Sequence, residues 1–367
     1  MFRSNFWRNF DFWLLGVVII ALVFGVTMIR SAIAGNENLA GLVPRQIIFG
    51  GIGFLFIILA AAIDYRFWSG AIVWMYAVVV IFLLLLFIVG GTRFGATRWI
   101  ETGLVSIQPT ELAKIVFILA LANFIDKNID TGRSWAWLLK SLVIALGIAG
   151  LIFIQPNLSN VIVVMVLWAA MTWVSGLQLK QLGILVLVVA VLAVVAFSFF
   201  LQPYQQLRIT NFIFPPTNTS YGATYNVQQA LAALGSGGWF GKGYGHGTQT
   251  QLRFMKVRHN DFIFSVIGEE LGLAGAVFVL VLIGFIVYRC LRAARLARDP
   301  FGSMIAYGVA ILIFFQAVVN IAVNLNLIPV TGIPLPFISY GGSGLISLML
   351  GIGLVESVVL RHKPIDY

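Results

Sequence analysis

Long apolar segments separated by short polar connections constrain this chain more than any other feature of its sequence. About ten segments approach the roughly 20 apolar residues that a helix needs to cross a bilayer. With 60% hydrophobic and only 10% charged residues, the composition excludes a soluble domain. The pattern predicts one all-α, polytopic membrane domain over residues 1–367, with spans near 12–34, 46–63, 70–90, 109–125, 137–154, 160–175, 181–200, 262–288, 302–323 and 343–360.

The distribution of Lys and Arg predicts the orientation of these spans. The basic residues of the short loops place both termini in the cytoplasm and leave one large extracytoplasmic loop, about 201–261. The first span is expected to stay uncleaved, because it is longer than a signal-peptide core and Arg30 interrupts it. The outer segments are unusually cationic, which favours an anionic ligand there; snorkelling of these side chains to lipid headgroups is the alternative.

Asp261 is the most informative single residue. No Asp or Glu occurs from Thr131 through Asn260, and the approach to Asp261 is basic, with Arg258 and His259 close before it. A lone acid among cations at the outer end of a membrane helix is typical of a general base beside an anionic substrate. A helix-capping Asp that offsets local positive charge is equally compatible with the position.

The outer loop contains a glycine-rich segment, Gly235 to Gly247, preceded by a predicted short amphipathic helix over residues 225–234. A nucleotide-binding P-loop is excluded, because Gly243 stands where Ser or Thr must follow Lys242. Two interpretations stay open. The segment is either a mobile loop whose NH groups and Lys242 approach a phosphate, or a plain flexible connector.

Polar residues also occur within the apolar spans. Glu111 and Lys114 are three residues apart, so they share a helical face and are expected to pair, either as a structural ion pair or as part of a cavity. Gln316, Asn320 and Asn324 recur every four residues and predict interhelical hydrogen bonds. The Pro- and Gly-rich stretch 327–344 is too apolar for a solvated loop, so it should fold back and border a cavity.

Several short motifs follow one another along the whole chain. They are Arg98-Trp99-Ile100, Gln108-Pro109-Thr110-Glu111, Gly241-Lys242-Gly243, Gly247-Thr248-Gln249, His259-Asn260-Asp261-Phe262-Ile263-Phe264, Glu269-Glu270-Leu271-Gly272 and Pro334-Leu335-Pro336-Phe337-Ile338-Ser339-Tyr340-Gly341-Gly342-Ser343. In this order they resemble the SEDS family, which includes RodA, FtsW and the sporulation homologue SpoVE. The compact length and the short N-terminus are more similar to RodA than to FtsW.

The resemblance implies a peptidoglycan glycosyltransferase in the bacterial plasma (inner) membrane. Such an enzyme polymerises lipid II into glycan strands on the outer face, here for cell elongation and rod shape, with a class B penicillin-binding protein as its partner. The family's essential acid corresponds to Asp261, and its polar cavity residues correspond to Arg98, Glu111 and Lys114. The expected substrate-binding set is Arg98, Glu111, Lys114, Arg208, Lys242, Lys256, Arg258, His259, Ser339 and Ser343.

Two departures from the family pattern bear on the mechanism. Lys256-Val257 replaces a Pro-Glu pair, and Asn157 replaces an Asp, so Asp261 is left without a second acid nearby. One carboxylate is sufficient, because a base must take the acceptor hydroxyl proton while the pyrophosphate leaving group needs only countercharge. A single base opposite that group inverts the anomeric carbon. A divalent cation, Mg or Mn, if used, is expected to bind weakly through Asp261 and the substrate phosphates.

Other functions also fit a polar cavity within about ten spans. A division-type, FtsW-like polymerase and a lipid II flippase are the alternatives, and a flippase would need a polar path from the cytoplasmic side. The groups with catalytic character gather outside in the predicted orientation, which favours the polymerase. No nucleic-acid ligand is expected, and the single cysteine, Cys290, excludes a disulfide framework and a cysteine metal site.

Overall fold

The computed structural model describes residues 9–362, apart from residues 90, 94–95, 102–105, 130–133, 179, 182, 186, 188–200, 216–222 and 256. Most of this part of the chain is helical. Its helices are α1 (Phe12–Ala32), α2 (Leu42–Ala62), α3 (Tyr65–Val89), α4 (Pro109–Lys127), α5 (Trp135–Ile154), α6 (Leu158–Val174), α7 (Pro203–Ile213), α8 (Ala223–Ser236), α9 (Thr248–Gln251), α10 (Ile263–Leu296), α11 (Pro300–Asn324) and α12 (Gly342–Leu360), with a 3₁₀ turn at Glu37–Leu39.

The helices confirm the all-α, multi-pass membrane class. In the described part, α1, α2, α3, α5, α10, α11 and α12 are long and apolar enough to cross a membrane. Helix α6 is apolar but shorter, at 17 residues, and α4 carries four charged residues, two acids and two bases, within its 19 residues. The expected span at 181–200 lies largely outside the described residues. The number of crossings and their orientation therefore stay predictions.

Side-chain caps and prolines determine where several helices begin. The Asp11 carboxylate accepts a hydrogen bond from the Leu14 amide at 3.1 Å, which satisfies one of the free NH groups at the start of α1. Asp299 accepts from the Gly302 amide at 2.8 Å in the same way, and Pro300 occupies the first turn of α11. Helix α4 likewise begins at Pro109, as expected from the sequence.

A small β-sheet between α3 and α4 was not predicted from hydropathy. Its strands are β1 (Gly91–Arg93), β2 (Ala96–Glu101) and β3 (Ser106–Ile107), antiparallel in the order β1-β2-β3. The strands are short and more polar than the flanking spans, so they give no signal on the length scale of a membrane helix. The all-α prediction holds for the bundle and needs this correction for the connection that contains Arg98.

Helix α4 lies at the centre of the bundle and contacts α3, α5, α6, α11 and α12. Of its 19 residues, 14 are buried, so protein encloses most of this helix. Helix α2 packs along α12, and Gly353 permits a close approach there, because a Cβ at this position would lie 2.8 Å from the Ile57 Cα. Small residues allow such contacts between membrane helices.

The glycine-rich segment is docked on α10. Helix α10 is interrupted at Gly272, whose φ of +65° requires a residue without a Cβ. The Leu273 amide donates to the Gly238 carbonyl at 2.9 Å, and the Lys242 amide donates to the Glu269 carbonyl at 3.0 Å. The sequence left two interpretations open, a mobile loop and a flexible connector. Neither is correct, because the main chain of this segment is hydrogen-bonded to α10 around the break at Gly272.

The stretch between α11 and α12 folds back into the protein, as expected. It contains no regular helix before Gly342, yet Leu335, Phe337 and Ile338 are all buried. Ile338 lies against α1, where a Cβ on Gly25 would meet the Ile338 carbonyl oxygen at 2.6 Å. This segment, residues 325–341, is called the re-entrant loop below.

Candidate active site

Asp261 lies immediately before α10 and is partly exposed. Its main chain is held by α11, since the side-chain amides of Asn320 and Asn324 donate to the Asp261 carbonyl oxygen at 3.0 and 2.9 Å. The oxygen of the Asn324 amide accepts from the Ser265 hydroxyl at 2.6 Å, one turn into α10. Asn320 and Asn324 therefore form the hydrogen bonds predicted for the polar face of α11, and these bonds meet at the main chain of the candidate acid.

The re-entrant loop fixes the two residues before Asp261. The Ser339 hydroxyl donates to the Asn260 carbonyl at 2.7 Å and accepts from the Leu335 amide at 2.9 Å. The Tyr340 amide donates to the His259 carbonyl at 3.0 Å. Ser339 was expected to bind substrate. Its hydroxyl is already engaged on both sides, so the structure gives it a positioning role instead.

Arg208 is a cation whose charge acts on the Asp261 carboxyl group. Burial raises the pKa of the Asp261 carboxyl from 3.8 to about 6, and the charge of Arg208 acts in the opposite direction. The Arg208 guanidinium donates to the Val330 carbonyl at 3.3 Å and lies 5.7 Å from the centre of the Tyr204 ring. It therefore joins α7 to the re-entrant loop.

Gly332 of the re-entrant loop leaves the carboxylate open. Its φ is +77°, and a Cβ added there would lie 3.9 Å from Asp261 Oδ2. Any larger side chain would therefore approach the carboxylate oxygen and suffer backbone strain. The absence of a side chain at this point keeps room for a substrate hydroxyl beside the acid.

His259 does not add positive charge to the site. Burial and the neighbouring Arg258 lower the pKa of its imidazole from 6.5 to about 4, so the ring is neutral at physiological pH. The ring packs edge-on against Tyr340 at 6.1 Å. The sequence placed His259 among the cations that approach Asp261, and this part of the prediction is wrong.

Arg258 faces the protein interior. Only 3% of it is exposed, and its guanidinium donates to the carbonyl oxygens of Ala32 and Met255. Burial, together with the charge of Arg253, lowers its pKa. The expected contact of Arg258 with a lipid pyrophosphate does not fit this placement, because the side chain joins the end of α1 to the loop before Asp261.

Lys242 is also engaged elsewhere. Its ammonium lies 3.0 Å from a carboxylate oxygen of the fully buried Glu269 and 2.7 Å from the Thr248 hydroxyl. The same carboxylate accepts from the amide and the hydroxyl of Thr250, at 3.0 and 2.8 Å. The Glu269 carboxylate thus binds both the start of α9 and the glycine-rich segment, and Lys242 balances its charge. Lys256, by contrast, lies outside the described residues.

Glu111 and Lys114 form the ion pair that their spacing predicts. The Lys114 ammonium lies 2.8 Å from Glu111 Oε1 and 3.3 Å from the side-chain oxygen of Asn160, and it is almost fully buried. Ser343 lies nearby, because it accepts from the Gln108 amide at 3.2 Å and a Cβ on Gly344 would be 3.4 Å from Glu111 Oε2. The structure describes only the main chain of Arg98, on β2.

A short path of contacts joins this ion pair to Asp261. The Ser159 hydroxyl at the start of α6 donates to the carbonyl of Thr331 at 2.6 Å, next to Gly332. Asn160, the following residue, contacts Lys114. Sequence reasoning missed Ser159, Asn160 and Thr331. The signal available was a run of polar side chains directly after Gln155-Pro156, at the point where an otherwise apolar span begins.

The donor set near Asp261 does not form a metal site by itself. Among the described residues, no group of three or more His, Cys, Asp or Glu side chains is close enough to hold a metal ion. Asp261 would therefore contribute a single carboxylate, and most ligands of a divalent cation would have to come from substrate phosphates and water.

The family model described as "Cell cycle protein", that of FtsW, RodA and SpoVE, matches residues 4–363. The chain belongs to this family. Peptidoglycan glycosyltransferase MrdB of Escherichia coli (strain K12) is 35% identical over 99% of this chain and 98% of MrdB. Probable peptidoglycan glycosyltransferase FtsW of Hydrogenovibrio crunogenus is 33% identical over 96% of this chain and 92% of that protein.

Two solved structures share the fold of this chain. A chain from the structure described as "Structural coordination of polymerization and crosslinking by a peptidoglycan synthase complex" has a TM-score of 0.82 and 29% identity, over 96% of this chain and 98% of that chain. The rod shape determining protein RodA of Thermus thermophilus has a TM-score of 0.71 and 29% identity, over 97% of both chains. The similarity thus extends over nearly the whole membrane domain.

Proposed function

We propose that this protein is a peptidoglycan glycosyltransferase that polymerises lipid II, with Asp261 as its general base. The observation that supports this role most directly is the environment of the carboxyl group. It is partly exposed beside Gly332 and Arg208, and its pKa is raised to about 6. A base with a pKa near the working pH combines a large ionised fraction with useful basicity.

The proposed reaction is a single displacement at the anomeric carbon of the lipid-linked donor. The 4-hydroxyl oxygen of the acceptor forms a bond to that carbon, and the bond to the pyrophosphate oxygen breaks. The hydroxyl proton passes to an Asp261 oxygen, while the pyrophosphate leaves with the electron pair. Attack from the face opposite the leaving group inverts the configuration, so an α-linked donor gives a β-linked glycan.

The departing pyrophosphate needs countercharge and not a proton donor. Arg208 is the best-placed candidate among the described cations, because Arg258 and Lys242 are occupied within the protein. Lys256 and Arg98 stay candidates from the sequence. If a divalent cation, Mg or Mn, takes part, Asp261 would hold it weakly and the ion would supply further countercharge. The buried Glu111–Lys114 pair is proposed to shape the polar cavity without taking part in the proton transfer.

The proposed location is the bacterial inner membrane, with the active site on the extracytoplasmic side. The excess of Lys and Arg in the short loops at the other end of the bundle supports this orientation. We also propose a class B penicillin-binding protein as partner and cell elongation as the process. The support for a partner is the solved relative, which comes from a peptidoglycan synthase complex that coordinates polymerisation and crosslinking.

The test is polymerisation of labelled lipid II by the purified full-length protein, alone and with the partner. Asp261→Asn should lower the rate by about 10²–10⁴-fold, the usual contribution of a general base. Asp64→Asn is a matched control, because Asp64 is a half-exposed acid that contacts Arg361 at the far end of the bundle. Substantial glycan synthesis by Asp261→Asn would exclude the assignment. Transbilayer movement of lipid II without polymerisation would support a flippase instead.

A further inference from the structure

The start of α1 and the ends of α10 and α12 enclose a cavity of about 400 Å³. It lies at the opposite end of α10 from Asp261, so it is separate from the candidate active site. Its lining includes Phe12 and Trp13 of α1, Arg289 and Arg292 of α10, and His362 after α12. We call it the α1–α10 cavity. Its volume is within the usual range for small-molecule sites.

One of the two arginines is already neutralised. The Arg289 guanidinium donates to Asp11 Oδ2 at 2.7 Å, and Asp11 is also the cap of α1. The Asp11 amide in turn donates to the fully buried Glu356 at 3.0 Å. These contacts hold the start of α1 against α10 and α12. They also neutralise the charge of Arg289.

Arg292, unlike Arg289, has no acidic partner among the described residues. It lies one helical turn beyond Arg289, on the face of α10 that also presents Leu296 to the cavity. Its side chain is exposed, and it forms no ion pair with any residue that the structure describes. The cavity therefore presents a permanent positive charge that no described residue neutralises.

Large apolar side chains surround this charge. Phe12 is 66% exposed and Trp13 is 71% exposed, both at the first turn of a membrane-spanning helix. Aromatic rings in this position lie at the level of lipid headgroups. Basic pockets between the ends of membrane helices bind anionic headgroups while the acyl chains lie against the neighbouring apolar surface.

We propose that the α1–α10 cavity binds the phosphodiester headgroup of an anionic phospholipid from the leaflet on that side, with Arg292 as the principal contact. A water-soluble phosphate has the same headgroup chemistry. The exposed aromatic residues beside the charge favour the lipid, because acyl chains would cover them and a soluble anion would not.

The experiment uses the full-length protein in detergent, titrated separately with phosphatidylglycerol, phosphatidylcholine and inorganic phosphate. Lipid retention is counted by native mass spectrometry, and the unfolding temperature is measured in parallel. Arg292→Gln removes the uncompensated charge at an exposed position, so it should fold normally. Arg295→Gln is the matched control, because it removes an exposed arginine of the same helix that does not line the cavity.

The wild type and Arg295→Gln should bind phosphatidylglycerol more tightly than phosphatidylcholine. In Arg292→Gln that affinity should fall about fivefold, the usual effect of one basic residue at a lipid surface. Equal losses in both variants would overturn the proposal in favour of diffuse surface charge. Equal affinity of the wild type for both lipids would also overturn the proposal. So would inorganic phosphate, if it binds as tightly as phosphatidylglycerol and raises the unfolding temperature by as much.

Discussion

The side-chain amide of Asn324 donates to the main-chain carbonyl of Asp261 at 2.9 Å, across the interface between α11 and the start of α10. Asn320 adds a second donor to the same oxygen at 3.0 Å and also donates to the Ile333 carbonyl at 2.9 Å. Two helical turns of α11 thus hold both the backbone of the candidate base and the re-entrant loop opposite it. The position of the carboxylate therefore depends on side chains that bind its main chain and not its carboxyl group.

Asn320→Ala should therefore reduce polymerisation more than it reduces stability. The change leaves the buried Ile333 carbonyl without this donor, at a cost of about 1–3 kcal/mol in unfolding free energy. It also loosens Asp261, which should lower the rate at saturating lipid II. The control is Asn123→Ala, since Asn123 of α4 accepts a hydrogen bond from Ser69 of α3, away from the site. A rate loss in Asn320→Ala no larger than in the control would contradict the positioning role.

The membrane helices could be predicted from the sequence because each crossing must contain a long apolar segment, and that requirement is local. The break in α10 at Gly272 could not be predicted, because apolar residues occur on both sides of the break. The break is needed only for the docking of the main chain at Gly238 and Lys242. The strands near Arg98 were missed for a related reason. They are too short to produce a periodic signal.

The site was predicted in part. The Glu111–Lys114 ion pair follows from the spacing of its two charges, and Asp261 stays the candidate base from the charges that surround it in the sequence. The direction in which a charged side chain points cannot be predicted in this way. Arg258 was therefore predicted to bind substrate, although it donates to main-chain carbonyls inside the protein. Asn160 was missed because its contact with Lys114 joins two helices that are distant in sequence.

The rate of polymerisation should depend on pH through Asp261. The base is active when ionised, and its pKa is about 6, so the rate should be constant at high pH and fall below about pH 6. Arg208 lowers this pKa, so Arg208→Gln should move the midpoint to higher pH. The measurement is a pH profile of kcat for both proteins. An identical midpoint would show that Arg208 does not influence the acid.

The same pKa shift predicts how Asp261→Asn affects stability. Burial raises the pKa in the folded protein above the unfolded value of about 3.8, so the ionised form opposes folding as pH rises through this interval. The uncharged amide avoids that cost. Asp261→Asn should therefore unfold at a higher temperature than the wild type at pH 8, and the difference should shrink at pH 5. A variant that is less stable than the wild type at pH 8 would contradict the raised pKa of Asp261.

The Glu111–Lys114 pair should be costly to break on one side only. Glu111→Gln or Lys114→Met leaves one buried charge without its partner, which typically costs about 3–5 kcal/mol. The double exchange Glu111→Lys/Lys114→Glu should recover part of the loss in thermal stability and glycan synthesis. Arg66→Gln is the control, because it breaks a half-exposed pair with Asp299 and should cost at most about 1 kcal/mol. Single variants as stable as this control would show that the buried pair has no energetic role.

Arg258 and Arg208 should respond in opposite ways to substitution. Arg258→Gln removes buried donors to the carbonyls of Ala32 and Met255, so it should lower the unfolding temperature at any salt concentration. Arg208→Gln alters a partly exposed side chain, so stability should change little while the KM for lipid II rises. High salt weakens exposed charge interactions. The wild type should therefore lose part of its affinity for lipid II at high salt, and Arg208→Gln should lose less. If Arg258→Gln keeps full stability but raises KM in a salt-dependent way, Arg258 binds the pyrophosphate after all.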